Sequence, residues 1–173
     1  TAPHSFTKGI EGPAVDADGN IYAVNFARQQ TIGKVSPGGA GEVYLTLPGA
    51  SIANGIRFGS RGQIYLADYM EHTIYLVDPA TRALTIHARE PRMTQPNDIA
   101  ITADDVLYAS DPNWKENTGR VWRIAQDGTV TLALDTMGTA NGIEVSPDGK
   151  TLYVNESVQR NIWAYDIEAD GSL

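Results

Sequence analysis

The chain repeats itself about every 43 residues, and this period restricts the possible folds more than any other feature. Four segments align, each opening on a polar residue, and these opening residues lie 43, 43 and 44 positions apart. We call them the strand heads: Glu11, Asn54, Asn97 and Asn141. A tyrosine follows each head, 11 residues on in three copies and 12 in the fourth. A fixed period of this length indicates a radial or stacked array of similar units.

Each repeat carries the alternating pattern of β-strands. Apolar residues stand two and four positions after each head, for example Ile56 and Phe58 in the second copy. This period of two predicts a strand with one buried face. Turn residues follow, and then a second apolar run predicts strands at Ile21–Val24, Ile64–Ala67, Val106–Ala109 and Leu152–Val154. No segment shows the helical period, so we expect almost no helix.

Four strands in each repeat of this length predict an all-β fold, a β-propeller of four-stranded blades. The alternative, a β-sandwich of many short strands, gives no reason for a fixed period. We expect residues 1–173 to form about four blades of a single propeller domain that is incomplete at its C-terminal end, because the sequence stops where the outer strand of the fourth blade should begin. Either Ala2–Lys8 supplies that strand and closes a four-bladed ring, or the chain is part of a larger, six-bladed ring.

Charge and composition exclude several classes of protein. The net charge of −8 argues against nucleic acid as a partner, because nucleic-acid-binding proteins carry a basic surface. The absence of cysteine excludes a disulfide framework and a thiolate zinc site. No apolar run approaches the ~20 residues that span a bilayer, so we expect no membrane partner. We expect a soluble protein of the cytoplasm or the periplasm, with the compartment and the oligomeric state left open.

The four strand heads are the candidate binding residues. In a propeller the first strand of each blade lines the central channel, so the heads should surround its mouth. One carboxylate and three amides offer the oxygen ligands that Ca²⁺ or Mg²⁺ prefers. The alternative is that Asn-Gly and Asn-Asp begin strands because they tolerate turn conformations. That explanation suffices for a single Asn, whereas four polar residues at one repeat position favour a polar or metal site.

Several motifs resemble those of the regucalcin/gluconolactonase family. These are EGP after the start, QPNDI followed by YASDPNW and TGRVWRI, and NGIEVSPDGKTLYVNES followed by RNIWAYDIEADGSL. The resemblance extends from Phe6 to Leu173. It implies a six-bladed propeller with a divalent metal in its channel, most often calcium, with Mg²⁺ or Zn²⁺ as other possibilities. It also implies a small-molecule lactone or ester as the substrate.

The resemblance assigns roles to three of the heads. Glu11 matches the metal-binding Glu of the family, and Asn141 matches a metal-binding Asn. Asn97 matches a channel Asn that contacts either the metal or the substrate. Asn54 has no firm counterpart, and we expect it to serve the start of its strand or to contact the site through water.

Two further residues are candidates for binding the substrate. Asp98 follows Asn97 at a position that matches the family. Trp114 lies in the connection Ser110–Gly119, which we expect to rise beside the channel mouth as a loop. An aromatic side chain there would form a wall of the substrate pocket, since pockets favour aromatic linings. Packing of Trp114 against a neighbouring blade is the alternative.

The sequence departs from the family pattern at two places. The family completes its site with an Asp at the head of the next blade, which would fall beyond Leu173, so the catalytic residue is unassigned. Sugar-lactonase members often carry an Arg just before the channel Asn, where this chain has Gln95. The second departure argues against specificity for sugar acids.

These observations predict a metal-dependent hydrolase of lactones or related esters, in which the metal polarises the substrate carbonyl. The main alternative is a non-catalytic propeller that serves as a binding module, since one fold supports many functions. A strictosidine-synthase-like enzyme is a third possibility.

Overall fold

The structure consists of strands and turns without any helix, as the sequence pattern predicts. It is a computed structural model that describes residues 1–173. Fifteen strands form four antiparallel sheets, each made of strands consecutive in the chain. No helix has the length and apolar character needed to cross a membrane.

The sheets follow one another along the chain as blades one to four. Blade one contains β1 (Ala14–Val15), β2 (Ile21–Val24), β3 (Thr31–Val35) and β4 (Gly41–Thr46). Blade two contains β5 (Ala53–Phe58), β6 (Ile64–Asp68), β7 (Thr73–Val77) and β8 (Leu84–Arg89). Blade three contains β9 (Ile99–Ile101), β10 (Leu107–Asn113), β11 (Thr118–Ile124) and β12 (Val130–Met137). Blade four contains β13 (Ala140–Val145), β14 (Thr151–Glu156) and β15 (Asn161–Asp166).

The blades are arranged as in a propeller, which confirms the predicted fold class. The first strand of each blade packs against the first strand of the next, β1 on β5, β5 on β9 and β9 on β13. The core therefore lies between blades, in three apolar layers. On β6 the alternation is visible directly. Ile64 and Leu66 pack in the layer with blade one, whereas Tyr65 and Ala67 pack in the layer with blade three.

The N-terminal segment lies against blade one. Phe6 forms an isolated antiparallel bridge with Phe26, and their rings meet edge to face at 5.0 Å. A side chain at Gly33 would overlap Phe26, so the pair covers part of the free face of blade one. Residues 2–8 therefore do not add a strand to β15, and blade four keeps three strands. The four-bladed closure that the sequence left open does not occur in this structure.

The connection Ser110–Gly119 is a long hairpin and not the loop that we predicted. Strand β10 continues to Asn113 and β11 starts at Thr118, and the two pair in register over this whole length. Only residues 114–117 remain as the turn. The pairing partners supply the backbone hydrogen bonds that a loop would have lacked, so the polar sequence extends the strands.

Candidate metal centre in the channel

A polar cavity of about 400 Å³ lies where the four first strands begin. All four strand heads line it, and no hydrophobic side chain does. The repeat thus brings Glu11, Asn54, Asn97 and Asn141 to one place, as the propeller geometry predicts. Whether these residues bind a metal stays a prediction.

Glycine after the head allows neighbouring blades to approach closely. A Cβ at Gly12 would overlap the carbonyl oxygen of Asn54 in the next blade. A Cβ at Gly55 would lie 3.0 Å from the carbonyl oxygen of Asn97 and 2.9 Å from the Cα of Asp98. The glycines that follow Glu11 and Asn54 therefore allow the starts of neighbouring inner strands to pack closely.

The heads present oxygen atoms that the chain itself does not use. No hydrogen bond reaches the side-chain oxygens of Glu11, Asn54 or Asn97. Asn141 donates through Nδ2 to Ser157 Oγ at 2.9 Å, which leaves its Oδ1 free. One carboxylate and three amide oxygens form a hard donor set that fits Ca²⁺ or Mg²⁺. It fits Zn²⁺ less well, because no group of three or more His, Cys, Asp or Glu residues is present.

Four buried polar residues hold the heads in place, and the sequence reasoning missed them. They follow the repeated tyrosine by three positions in every copy: Asn25, Asp68, Asp111 and Glu156. All are at most 5% exposed. The recurring endings YAVN, YLAD, YASD and YVNE were the signal that could have revealed them.

Each of these residues bonds to the backbone just before the head of its own blade. Asp68 Oδ1 accepts a hydrogen bond from Ile52 N at 3.0 Å, and Asp111 Oδ1 accepts one from Gln95 N at 2.6 Å. Both amides lie two residues before a head. Because the carboxylates are buried, each bond fixes the approach of the chain to the cavity.

In the first and fourth blades, the buried polar residue also bonds to the backbone before the head, but through other atoms. Asn25 Nδ2 donates to the carbonyl of Gly9 at 2.8 Å, and Glu156 accepts from Gly138 N at 2.6 Å. Burial raises the pKa of Glu156, but hydrogen bonds from Trp163, Asn161 and the Gly138 amide outweigh burial and lower the pKa below its usual value.

Asp98 occupies the position that is glycine in the other three copies. Its Oδ1 accepts a hydrogen bond from Ile99 N at 2.9 Å and lies 3.3 Å from Arg57 Nη1. Its Oδ2 accepts a longer bond from Ile143 N at 3.4 Å. The carboxylate that we predicted for substrate binding thus contacts its own chain, and its role toward a substrate stays a prediction.

A second cavity of about 310 Å³ adjoins the first and shares Glu11, Asn54 and Asn97 with it. Trp114, Tyr69 and Gln95 are among its other lining residues. Trp114 is 42% exposed, so its ring is accessible to a ligand. The hairpin tip therefore brings Trp114 to the channel mouth, where a substrate wall was expected.

Comparison with known proteins relates most of the chain to a known family. The sequence profile of the SMP-30/Gluconolactonase/LRE-like region matches residues 10–173. The gluconolactonase of Zymomonas mobilis is 27% identical over 188 residues, which cover 93% of this chain and 53% of that protein.

Solved structures share the fold. A gluconolactonase from Xanthomonas campestris superimposes with a TM-score of 0.81 at 21% identity, over 98% of this chain and 61% of that one. The calcium-binding protein regucalcin from Agrobacterium tumefaciens superimposes with a TM-score of 0.78 at 23% identity, over 97% and 57%. The chain thus spans between half and two thirds of the length of these relatives.

Proposed function

The chain belongs to the SMP-30/gluconolactonase/LRE-like family, and on that premise we propose that its channel is the site of a metal-dependent hydrolase of lactones or related esters. The observation that carries the proposal is the convergence of four strand heads on one cavity, with side-chain oxygens that the chain leaves unused. The 27% identity with a gluconolactonase supports the reaction class.

Glu11, Asn97 and Asn141 would hold the cation, and calcium suits their oxygen donors best. When bound, a divalent cation supplies a Lewis acid that polarises a carbonyl oxygen and stabilises the negative charge that develops on it. Asn54 lines the same cavity and could contact the ion directly or through water.

The second cavity, which adjoins the channel cavity and is lined by Trp114, would bind the organic part of the substrate. Its volume of about 310 Å³ lies at the lower end of the usual range for small-molecule sites, about 300–1,000 Å³. Trp114 and Tyr69 offer aromatic surface, and Gln95 offers an amide donor and acceptor to orient a lactone or ester. A small polar substrate fits this lining, which also includes Lys8 and Asn25.

The chain assigns no general base to the reaction. Apart from Glu11, the only carboxylate lining the channel cavity is Asp98, which is bound by Arg57 and by two backbone amides. Glu11 would be engaged by the cation. The residues described here therefore account for binding and orientation of metal and substrate.

Hydrolysis assays with metal removal test the proposal. The complete gene product that contains this chain should open simple lactones in a pH-stat assay, lose the activity in chelator, and regain it with calcium. Calcium binding without hydrolysis of any lactone or ester would favour the binding module instead. Hydrolysis that survives the chelator would contradict the role of the metal.

A further inference from the structure

Three charged side chains of the inner strands form a network across the channel. Arg57 and Glu144 lie three residues after their heads, where the other two copies have Ala14 and Ala100. Asp98 lies at the position of the glycine. The network therefore combines one departure from the repeat, Asp98, with two charged residues at a position that the other copies fill with alanine, and its members come from blades two, three and four.

The guanidinium of Arg57 joins these three blades. Its Nη1 and Nη2 each lie 3.3 Å from a different carboxylate oxygen of Asp98 in blade three. Its Nη2 also lies 3.4 Å from the carbonyl oxygen of Ile143 and 3.5 Å from Glu144 Oε2 in blade four. The side chains of Arg57 and Asp98 are 19% and 22% exposed, so their contact is largely shielded from water, whereas the side chain of Glu144 is 62% exposed.

The contacts lie close in sequence to the strand heads. Asp98 directly follows Asn97, and Ile143 lies two residues after Asn141. We propose that Arg57 is a positioning residue that fixes the separation between the head of blade three and the head of blade four. The proposal rests on the proposed function, because the distance between Asn97 and Asn141 matters through the cation that they would share.

The guanidinium suits this role better than an ammonium group. Its planar fork presents several donors in fixed directions, so it can bond to acceptors on two blades at once. The ammonium of a lysine is a point charge on a flexible stem. Arg57 also offsets the charge of Asp98, whereas Glu11, the other carboxylate lining the cavity, forms no salt bridge.

The substitution Arg57→Lys tests positioning without a change in charge. Arg82→Lys is the matched control, because Arg82 also joins two blades but lies away from the channel. Its Nη1 donates to the carbonyl of Tyr44 at 3.2 Å, and its Nη2 pairs with Glu42 Oε1 at 3.1 Å.

Calorimetric titration with calcium chloride gives the first measurement, on the complete gene product. We expect Arg57→Lys to bind calcium about tenfold more weakly than the unmodified protein, the usual effect of losing a group that orients a metal ligand. Arg82→Lys should stay within twofold. Equal binding by Arg57→Lys, or an equal loss in Arg82→Lys, would overturn the proposal.

A second measurement needs no metal. In ¹H–¹⁵N NMR spectra of protein labelled with ¹⁵N-asparagine, Arg57→Lys should shift the side-chain amide signals of Asn97 and Asn141. Arg82→Lys should leave these signals in place. Unmoved signals would overturn the proposal even if calcium binds.

The two measurements separate this proposal from the proposed function. If the unmodified protein binds no calcium, the proposed metal site fails, while the amide signals still test the role of Arg57. Asp98→Ala, which removes the acceptors that Arg57 contacts in blade three and adds no asparagine signal, replaces Arg57→Lys if that variant does not fold.

Discussion

Among the four strand heads, Glu11 is distinguished by its charge. The other three offer neutral amide oxygens, and all four line the same polar cavity. A carboxylate attracts a divalent cation through its full charge, whereas an amide contributes only a dipole. The number of charged ligands is one of the main determinants of calcium affinity.

Replacing Glu11 should therefore weaken calcium binding more than any other change at a head. Glu11→Gln preserves the size of the side chain and removes the charge, and we expect at least about a tenfold loss in affinity. Asn54→Ala should have a smaller effect, and Asn141→Ala should also reduce affinity by removing a neutral ligand. Calorimetry measures all three. Equal affinity of the unmodified protein and Glu11→Gln would eliminate Glu11 as a ligand.

Asp111 shows how a buried carboxylate can shape the site without touching a ligand. It is 1% exposed and accepts hydrogen bonds from the backbone amides of Thr94 and Gln95 and from Trp122 Nε1. The amides belong to the segment that leads into Asn97. Loss of the carboxylate would leave the buried Nε1–H of Trp122 and two part-buried backbone amides without their partner.

Asp111→Ala should destabilise the protein by about 1–3 kcal/mol, the cost of unsatisfied buried hydrogen-bonding groups. The control is Asp135→Ala, which removes an exposed carboxylate paired with Arg120 at 2.9 Å. Exposed pairs contribute about 0–1 kcal/mol, so the control should change little. Urea unfolding measures both. A similar loss in the two variants would contradict the structural role of Asp111.

At the scale of elements, the turn between the first two strands of blade three differs from its counterparts. Blades one and two use Gly19 and Gly62 there, each with a φ of 78°, whereas blade three uses Asp105 with a φ of 63°. The side chain of Asp105 forms hydrogen bonds with the turn of blade two, which offset the cost of a positive φ at a residue other than glycine. It accepts hydrogen bonds from Ser60 N at 2.7 Å and from Gln63 Nε2 at 2.9 Å.

These bonds make stability depend on pH. Burial raises the pKa of Asp105, but hydrogen bonds from Ser60 and Gln63 outweigh burial and hold the pKa below its usual value. The carboxylate therefore stabilises the fold fully above its unfolded pKa of about 3.9, and this contribution disappears as the pH falls through the lower pKa of the folded state.

Asp105→Asn should remove this pH dependence while keeping the left-handed backbone, which Asn tolerates well. We expect the variant to be less stable than the unmodified protein at pH 7 and the difference to shrink as the pH falls through the acid range. Unfolding in urea at several pH values measures the difference. Asp104→Asn, at the exposed neighbouring position, is the control. A constant difference at all pH values would contradict the assignment to the Asp105 carboxylate.

At the scale of the whole molecule, blade four leaves one face uncovered, whereas Phe6 and Phe26 cover part of the free face of blade one. The repeated tyrosine is buried by the next blade in three copies, where Tyr22, Tyr65 and Tyr108 are 4%, 4% and 0% exposed. Tyr153 in blade four is 45% exposed, and Ile162 on the same face is 78% exposed. Apolar faces of this kind are sites of association between proteins.

The polypeptide of residues 1–173 should therefore self-associate in solution. Ile162→Lys should shift it toward the monomer, because a charge on this face opposes apolar contact. Val158→Lys, in the exposed turn between β14 and β15, is the control and should not change the association. Analytical ultracentrifugation measures the mass of the species in solution for each variant. A compact monomer of the unmodified polypeptide would contradict the prediction.

The repeat by itself determined the blades and the position of the heads. Strand formation depends on the alternation of neighbouring residues, so strands such as Ile64–Ala67 could be predicted, and the structure ends this one at Asp68. A shared repeat position then places Glu11 and its counterparts at one cavity. The buried residue after each tyrosine was also visible as a pattern, although its partners were not.

Contacts between distant parts of the chain were decided by the tertiary structure alone. Arg57 meets Asp98 and Glu144 across 41 and 87 residues of sequence, and Phe6 pairs with Phe26 instead of joining blade four. No local pattern encodes such pairs, because the partners come together only when whole sheets pack face to face. The sequence therefore determines which side chains point toward the channel, and the packing of the blades decides which of them neutralise one another and which keep free oxygens for a ligand.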